Sequence, residues 1–152
     1  MDQDAFRTTF RDMNDRYCLF EKSILSGECA CSQADRFCLA EREGVHCKSD
    51  GAQRQCEELL ELLRHHTRFT LKSSNDTGAL PHGKAIRIQI GGLRGLNAAV
   101  LGDEALPASK IDDIHGLINR ALDSFGRLED FPFQEIIKQV AAYKGRRRSL
   151  RS

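Results

Sequence analysis

The six cysteines of this chain all lie between residues 18 and 56, and the rest of the sequence contains none. They are Cys18, Cys29, Cys31, Cys38, Cys47 and Cys56. In a reducing cell a thiol is kept because it packs, reacts or binds something, so a group confined to one region favours a shared local reason. The sequence therefore predicts that the N-terminal part of the chain folds around a metal centre.

The composition predicts a globular protein. The chain has 152 residues, of which 40% are apolar and 30% charged. A chain of this length can bury about 70% of the surface that its unfolded form exposes, so it does not need disulfide bonds to fold. No apolar run approaches the roughly 18 residues that span a bilayer, and the acidic N-terminus differs from a secretory signal. We therefore expect a cytoplasmic protein with no membrane contact, in which a disulfide framework is disfavoured.

The segment up to about residue 72 is predicted to form a helical, cysteine-rich metal-binding lobe. Apolar residues recur at steps of three and four over residues 4–25, which is typical of an amphipathic helix. A capping signature at Ser32 and a terminal glycine predict a short second helix over 33–43. Residues 45–48 then follow as a loop.

A third helix is predicted from Ser49 or Asp50 to about residue 67. On this helix Cys56 shares one face with Leu59, Leu60 and Leu63, which predicts that the thiol points inward. Three helices joined by two cysteine-bearing loops can bring thiols from distant positions to one point.

A strand is predicted over residues 85–90, after a loop over 73–84 that is rich in turn-forming residues. Ile86, Ile88 and Ile90 alternate with polar residues, and the two glycines that follow would end the strand. A single strand needs a partner, which residues 69–72, a segment near residues 94–101, or a second subunit in a homodimer through residues 85–90 would supply.

The rest of the interaction lobe, residues 85–143, is predicted to be helical. A capping signature at Ser109 begins one helix that ends at Gly126, and Pro132 stands near the start of another. A basic tail follows over residues 144–152. The expected fold class is mainly α with a small β element, with a helical N-terminal lobe and a mostly helical C-terminal lobe.

The spacing of the cysteines favours an iron-sulfur cluster over zinc. Structural zinc sites usually take their ligands from two close pairs with two to four residues between the members. This chain has no Cys-x-x-Cys, and ten, one, six, eight and eight residues separate successive cysteines. Because a cluster is larger than one ion, its ligands can arrive from several helices and loops. The expected cofactor is [4Fe-4S]; zinc is the alternative, and Cu(I) or free thiols remain open.

The predicted metal-binding and cofactor-binding residues are Cys18, Cys29, Cys31, Cys47 and Cys56. Cys29, Cys31 and Cys47 lie in predicted loops, where a thiol has no packing reason, and the two on helices point inward or along the flank. Cys38 shares a face with apolar neighbours and is explained by packing, so we leave it out of the site.

The sequence shows no constellation of acid, base and nucleophile that is typical of an enzyme. We therefore expect an iron-sulfur protein that acts in electron transfer or redox sensing with a redox partner protein, and that has no catalytic activity of its own. A catalytic subunit that borrows its active site from a partner remains open. The alternative is a zinc-stabilised interaction module whose basic tail contacts nucleic acid or an acidic partner. A formal net charge of +1 gives the whole molecule no strong preference for nucleic acid or membrane.

Overall fold

The computed structural model describes residues 16–70, 82–102 and 110–143. Within these ranges the fold is mainly helical with a small antiparallel sheet of two strands, which confirms the predicted fold class at this level. The elements are α1 (Glu21–Leu25), β1 (Ala34–Leu39), β2 (Arg42–Cys47), α2 (Asp50–Thr70), α3 (His82–Leu101), α4 (Ile114–Phe125), a 3₁₀ turn (Leu128–Asp130) and α5 (Phe133–Ala142). None of the helices in the described ranges combines the length and apolar character that a membrane span requires.

A β-hairpin of β1 and β2 occupies the place of the predicted second helix. The two residues between the strands, Ala40 and Glu41, have φ angles of 51° and 66°. A two-residue type I′ turn needs positive φ at both positions, and its usual residues are asparagine and glycine. Because this turn lacks them, the sequence conceals the hairpin. The helix prediction over 33–43 is wrong, and so is the loop prediction over 45–48, since β2 extends to residue 47.

The first predicted helix is much shorter in the described part of the chain. Tyr17 forms a β-bridge with β2, and the Cys18 N–H donates to the Val45 carbonyl at 3.0 Å. This pairing holds the chain beside the hairpin, so the predicted helix over 4–25 is wrong for residues 16–20 and holds only for α1. Its part over 4–15 lies outside the described residues.

The short helix α1 is anchored in the core by apolar and polar contacts. Phe20, just before the helix, is completely buried, and Ile24 is 3% exposed. Both the N–H and the hydroxyl of Ser23 donate to Gln89 Oε1 on α3, at 3.3 and 2.8 Å. Since both polar side chains are buried, this interaction fixes α1 against the middle of α3.

Helix α2 is the third predicted helix. Ser49 precedes it, and the Ser49 hydroxyl accepts the N–H of Ala52 at 3.2 Å, as a capping residue does. The face that carries Cys56 is buried: the thiol residue is 9% exposed, and three leucines on the same face are at most 2% exposed. The inward direction of Cys56 is therefore confirmed. The buried leucines are Leu59, Leu60 and Leu63.

Residues 85–90, predicted as a strand, lie within α3 instead. The alternating isoleucines are the misleading signal, because Ile88 and Ile90 are both buried although they are two residues apart on a helix. The strand prediction is wrong, and the edge on which the predicted homodimer depended is helical. The loop predicted over 73–84 lies outside the described residues except for its last three, which belong to α3.

The glycines of α3 allow its backbone to touch that of α5. A Cβ added at Gly91 would lie 2.7 Å from Val140 Cα, and one added at Gly95 would lie 2.6 Å from the Ile136 carbonyl oxygen. Real Cβ atoms do not approach backbone atoms this closely. The glycines therefore do not interrupt the helix. At Gly91 and Gly95 the backbones of α3 and α5 pack directly on each other with no side chain between them, and we call this line of contact the seam.

Both predicted C-terminal helices are confirmed. Helix α4 ends at Gly126, whose φ of 96° only glycine adopts readily, and α5 begins directly after Pro132. The residue before α4 is Asp113; the predicted cap at Ser109 lies outside the described residues. Residues from α1, β2 and all four longer helices join one hydrophobic core, so the hairpin and the C-terminal helices share their interior.

Candidate metal centre

The hairpin places two cysteines at its open end. Cys47 is the last residue of β2 and pairs with Ala34, the first residue of β1. Cys31 lies just before β1, and its carbonyl accepts the N–H of Ala34 at 3.1 Å. The chain therefore enters the hairpin at Cys31 and leaves it at Cys47, so that these two residues are neighbours although they are 16 positions apart.

Cys18 reaches the same end of the hairpin along the other side of β2. Its N–H donates to Val45, and the Cys47 N–H donates back to the Arg16 carbonyl at 2.6 Å. These antiparallel contacts set Cys18 beside Cys47. The short pairing explains why residues 16–18 leave the predicted helix.

Cys56 comes to the site on the second turn of α2. Gln53, one turn before it, donates from Nε2 to the Tyr17 carbonyl at 2.9 Å, which ties the start of the helix to the segment that carries Cys18. Residues three and four apart lie on the same helix face, so Ala52 and Cys56 both point towards the hairpin end.

The four thiols of Cys18, Cys31, Cys47 and Cys56 line one cavity. We call this set the four-thiol site. The other lining residues are Leu19, Phe20, Gln33, Ala34, Ala52, Gln53, Ile114 and His115. The walls are largely apolar, and the enclosed space is narrow, with room for about one water molecule. In the described part of the chain, no group of three or more His, Cys, Asp or Glu side chains is arranged so that it could hold a metal ion.

Burial controls the protonation of these thiols. It raises the pKa of Cys18 to about 12, and it also raises the pKa of Cys31. The pKa of Cys56 is raised by burial first, and then by the nearby thiols of the other three residues of the site. Without a metal these three groups carry their protons at neutral pH, so a bound metal has to displace them.

Backbone N–H groups point at two of the sulfurs. The Phe20 N–H bonds to Cys18, and the N–H groups of Gln33 and His115 bond to Cys31. Each of these bonds favours the thiolate and so works against the effect of burial. Hydrogen bonds of this kind to ligand sulfur also stabilise a metal-thiolate bond.

The other two cysteines lie elsewhere. Cys29, predicted as a ligand, is 5% exposed but does not line the cavity. Its backbone bridges to Ile111, and its thiol lies near the ion pair of Glu28 and Arg94, whose atoms are 3.1 Å apart. Cys38 is exposed on β1. The structure thus brings together four of the five predicted ligands, whereas Cys29 lies outside the cavity.

Comparison of the chain with protein-family models, with curated proteins and with solved structures found no match. The geometry of the four-thiol site is therefore the main ground for a functional proposal.

Sequence reasoning missed the contribution of the C-terminal half to the site. Ile114 and His115 at the start of α4 form one wall of the cavity, and Asp113 accepts the N–H of Ser32 at 2.8 Å through Oδ1. Residues 32 and 113 are 81 positions apart, so no local pattern connects them. The predicted capping signature at Ser109 indicates that a helix starts nearby, but it does not indicate a neighbour of Cys31.

Proposed function

We propose that the chain binds a [4Fe-4S] cluster through Cys18, Cys31, Cys47 and Cys56, and that it acts in electron transfer or redox sensing. The observation that carries the proposal is the four-thiol site itself: four separate segments of the chain each supply one cysteine to a single cavity with apolar walls. Four thiolates are the usual ligand set of a cubane cluster, and an apolar shell tunes its reduction potential.

The sequence spacing of the four cysteines supports a cluster over a single ion. A tetrahedral zinc with Zn–S bonds of about 2.3 Å would draw its four sulfurs to within about 3.8 Å of one another. The described residues include no group of three or more His, Cys, Asp or Glu side chains that could hold an ion. The support for a larger group is the sequence: the four cysteines come from separate segments, without the close pairs that a single zinc usually uses.

The number of ligands supports electron transfer or sensing over catalysis. When four cysteines hold the cluster, each iron has its full set of sulfur ligands, and no iron is left open for a substrate. The backbone N–H groups at Cys18 and Cys31 would help to set the potential at which the cluster accepts an electron from a redox partner protein.

A structural zinc site is the second candidate, and the narrowness of the cavity favours it. The enclosed space has room for about one water molecule, so a cubane requires the four sulfurs to move outward, whereas one ion requires them to move inward. With zinc the hairpin and α2 would form a metal-stabilised interaction module.

Metal analysis separates the two candidates. The protein is purified without oxygen, reconstituted with iron and sulfide, and assayed for iron, sulfide and zinc per chain. We expect about four irons and four sulfides, brown colour with absorption near roughly 400 nm, and an electron paramagnetic resonance signal after reduction. A colourless protein that holds one zinc per chain after the same treatment would contradict the cluster.

Alanine variants test which cysteines are ligands. We expect Cys31→Ala and Cys47→Ala to lose most of the bound metal, whereas Cys29→Ala and Cys38→Ala keep it. Cys29→Ala is the matched control for burial, because Cys29 and Cys47 are 5% and 7% exposed, and Cys38→Ala is the control for an exposed thiol. Equal metal content in all four variants would refute the assignment.

A further inference from the structure

The segment that carries Cys31 is bound along its length to the start of α4. Ala30 donates its N–H to the Ile111 carbonyl at 2.8 Å, and the Ala30 carbonyl accepts the N–H of Ile114 at 2.9 Å. The Ile111 N–H donates to Glu28 at 3.2 Å. Cys18 and Cys47 make hydrogen bonds within residues 16–49, and Cys56 lies on α2. Cys31 is thus the thiol whose backbone segment is hydrogen-bonded to the C-terminal half.

Asp113 supplies the side chain in this connection. Its Oδ1 accepts the N–H of Ser32, the residue directly after Cys31, at 2.8 Å. Its Oδ2 lies against Gly116 in the first turn of α4, 2.8 Å from where a Cβ would stand. The carboxylate therefore fills the space between the Cys31 segment and α4, next to the His115 N–H that bonds to the Cys31 sulfur.

The charge of Asp113 acts on the same sulfur. Partial burial favours the neutral acid. Hydrogen bonds with Ser32 and Gly116 outweigh this effect and hold the pKa of Asp113 below its usual value. The carboxylate is therefore ionised at neutral pH. The 2.8 Å bond to the Ser32 N–H holds this carboxylate one residue from Cys31. A negative charge so near a bound cluster opposes the arrival of an electron there.

We propose that Asp113 is a positioning residue of the four-thiol site, which holds Cys31 on the cavity through Ser32 and lowers the reduction potential of the bound cluster through its charge. This inference rests on the proposed function. The step concerned is a one-electron reduction of the cluster by a redox partner protein: the electron enters the iron-sulfur core, the partner is oxidised, and no bond forms or breaks.

Three variants of the full chain test the two roles. Asp113→Asn keeps an oxygen for the Ser32 N–H and removes the charge, whereas Asp113→Ala removes both. Asp123→Asn is the matched charge control. Asp123 is exposed on α4 and lies about 15 Å from Asp113 along the helix axis. Each reconstituted protein is titrated with redox mediators, and the reduced cluster is followed by electron paramagnetic resonance.

We expect Asp113→Asn to keep its cluster and to shift the midpoint potential to a more positive value, with Asp123→Asn equal to the wild type. Asp113→Ala should show the same direction of shift and retain less cluster per chain. Equal potentials for Asp113→Asn and Asp123→Asn would overturn the electrostatic role.

A second measurement addresses positioning without any cluster. In the metal-free protein, N-ethylmaleimide labelling of Cys31 is followed by peptide mass spectrometry. We expect Asp113→Asn to label somewhat faster than the wild type, because loss of the nearby negative charge favours the thiolate, and Asp113→Ala to label several-fold faster again, because the Cys31 segment is also released. Equal rates in Asp113→Asn and Asp113→Ala would overturn the positioning role. If the wild type binds no cluster, the proposed function fails, and the labelling rates alone then decide the role of Asp113.

Discussion

A Gly95→Ala substitution places a methyl group directly against the backbone of α5. The new Cβ would lie 2.6 Å from the Ile136 carbonyl oxygen and 2.8 Å from Ile136 Cα. Ordinary van der Waals contact begins at about 3.4 Å, so the two helices must separate by about 0.8 Å at this point. Because the obstacle is backbone, no rotation of a side chain can relieve the contact.

Two opposing terms set the size of the effect. Overpacking of a buried site costs about 1–3 kcal/mol, and a gap of this width also weakens the contacts on either side of the seam. Alanine in place of glycine gains up to about 1 kcal/mol of intrinsic helix stability. We therefore expect Gly95→Ala to lower the free energy of unfolding by about 1–2 kcal/mol.

Gly83→Ala is the matched control, because Gly83 also lies in α3 and an added Cβ there meets no atom within 4 Å from the other residues that the structure describes. It should leave the free energy of unfolding unchanged or raise it by up to about 1 kcal/mol. Urea unfolding of the three proteins, followed by circular dichroism in the same metal state, measures the difference. If the two alanine variants unfold at the same urea concentration, the close approach of α3 and α5 is wrong.

Two further predictions concern single side chains. Gln89→Leu removes the acceptor of the buried Ser23 hydroxyl and N–H, so we expect it to lower the free energy of unfolding by about 1–3 kcal/mol in urea titrations; an unchanged midpoint would contradict the importance of this link. Burial and the neighbouring His65 lower the pKa of His66 from 6.5. The folded state therefore binds a proton at His66 less readily than the unfolded chain does, and stability is lost as the pH falls below 6.5. The melting temperature of the wild type should therefore fall more than that of His66→Gln between about pH 8 and about pH 5, and equal falls would refute this contribution.

The sequence predicts a helix well where apolar spacing and helix caps agree. On α2 and α4 the buried positions recur at helical steps, and Ser49 and Gly126 mark an end of each. The hairpin and α3 are missed because their local signals point elsewhere. Ala40 and Glu41 are unusual in a type I′ turn, and the glycines of α3 are selected by contact with α5, which no local pattern reveals.

The sequence predicts that cysteines form the candidate site, but it does not show which of them line the cavity. Cys29 and Cys31 are two residues apart and equivalent in the sequence, yet only Cys31 faces the cavity. The pairing of Cys29 with Ile111 decides between them, and it joins segments more than 80 residues apart. The same distance in sequence concealed Asp113, since hydrogen bonds across the fold leave no trace in spacing or periodicity.

The wall formed by Ile114 and His115 also gives the four-thiol site an order of assembly during synthesis. The ribosome has synthesised all four cysteines of the site once it reaches residue 56. It adds His115, whose N–H bonds to the Cys31 sulfur, 59 residues later. At the usual rate of translation this interval lasts about 3 to 12 seconds. During that time the thiols lack the wall that closes one side of the cavity. On the proposed function, the metal would therefore enter a shielded site only after α4 has emerged and docked against the hairpin.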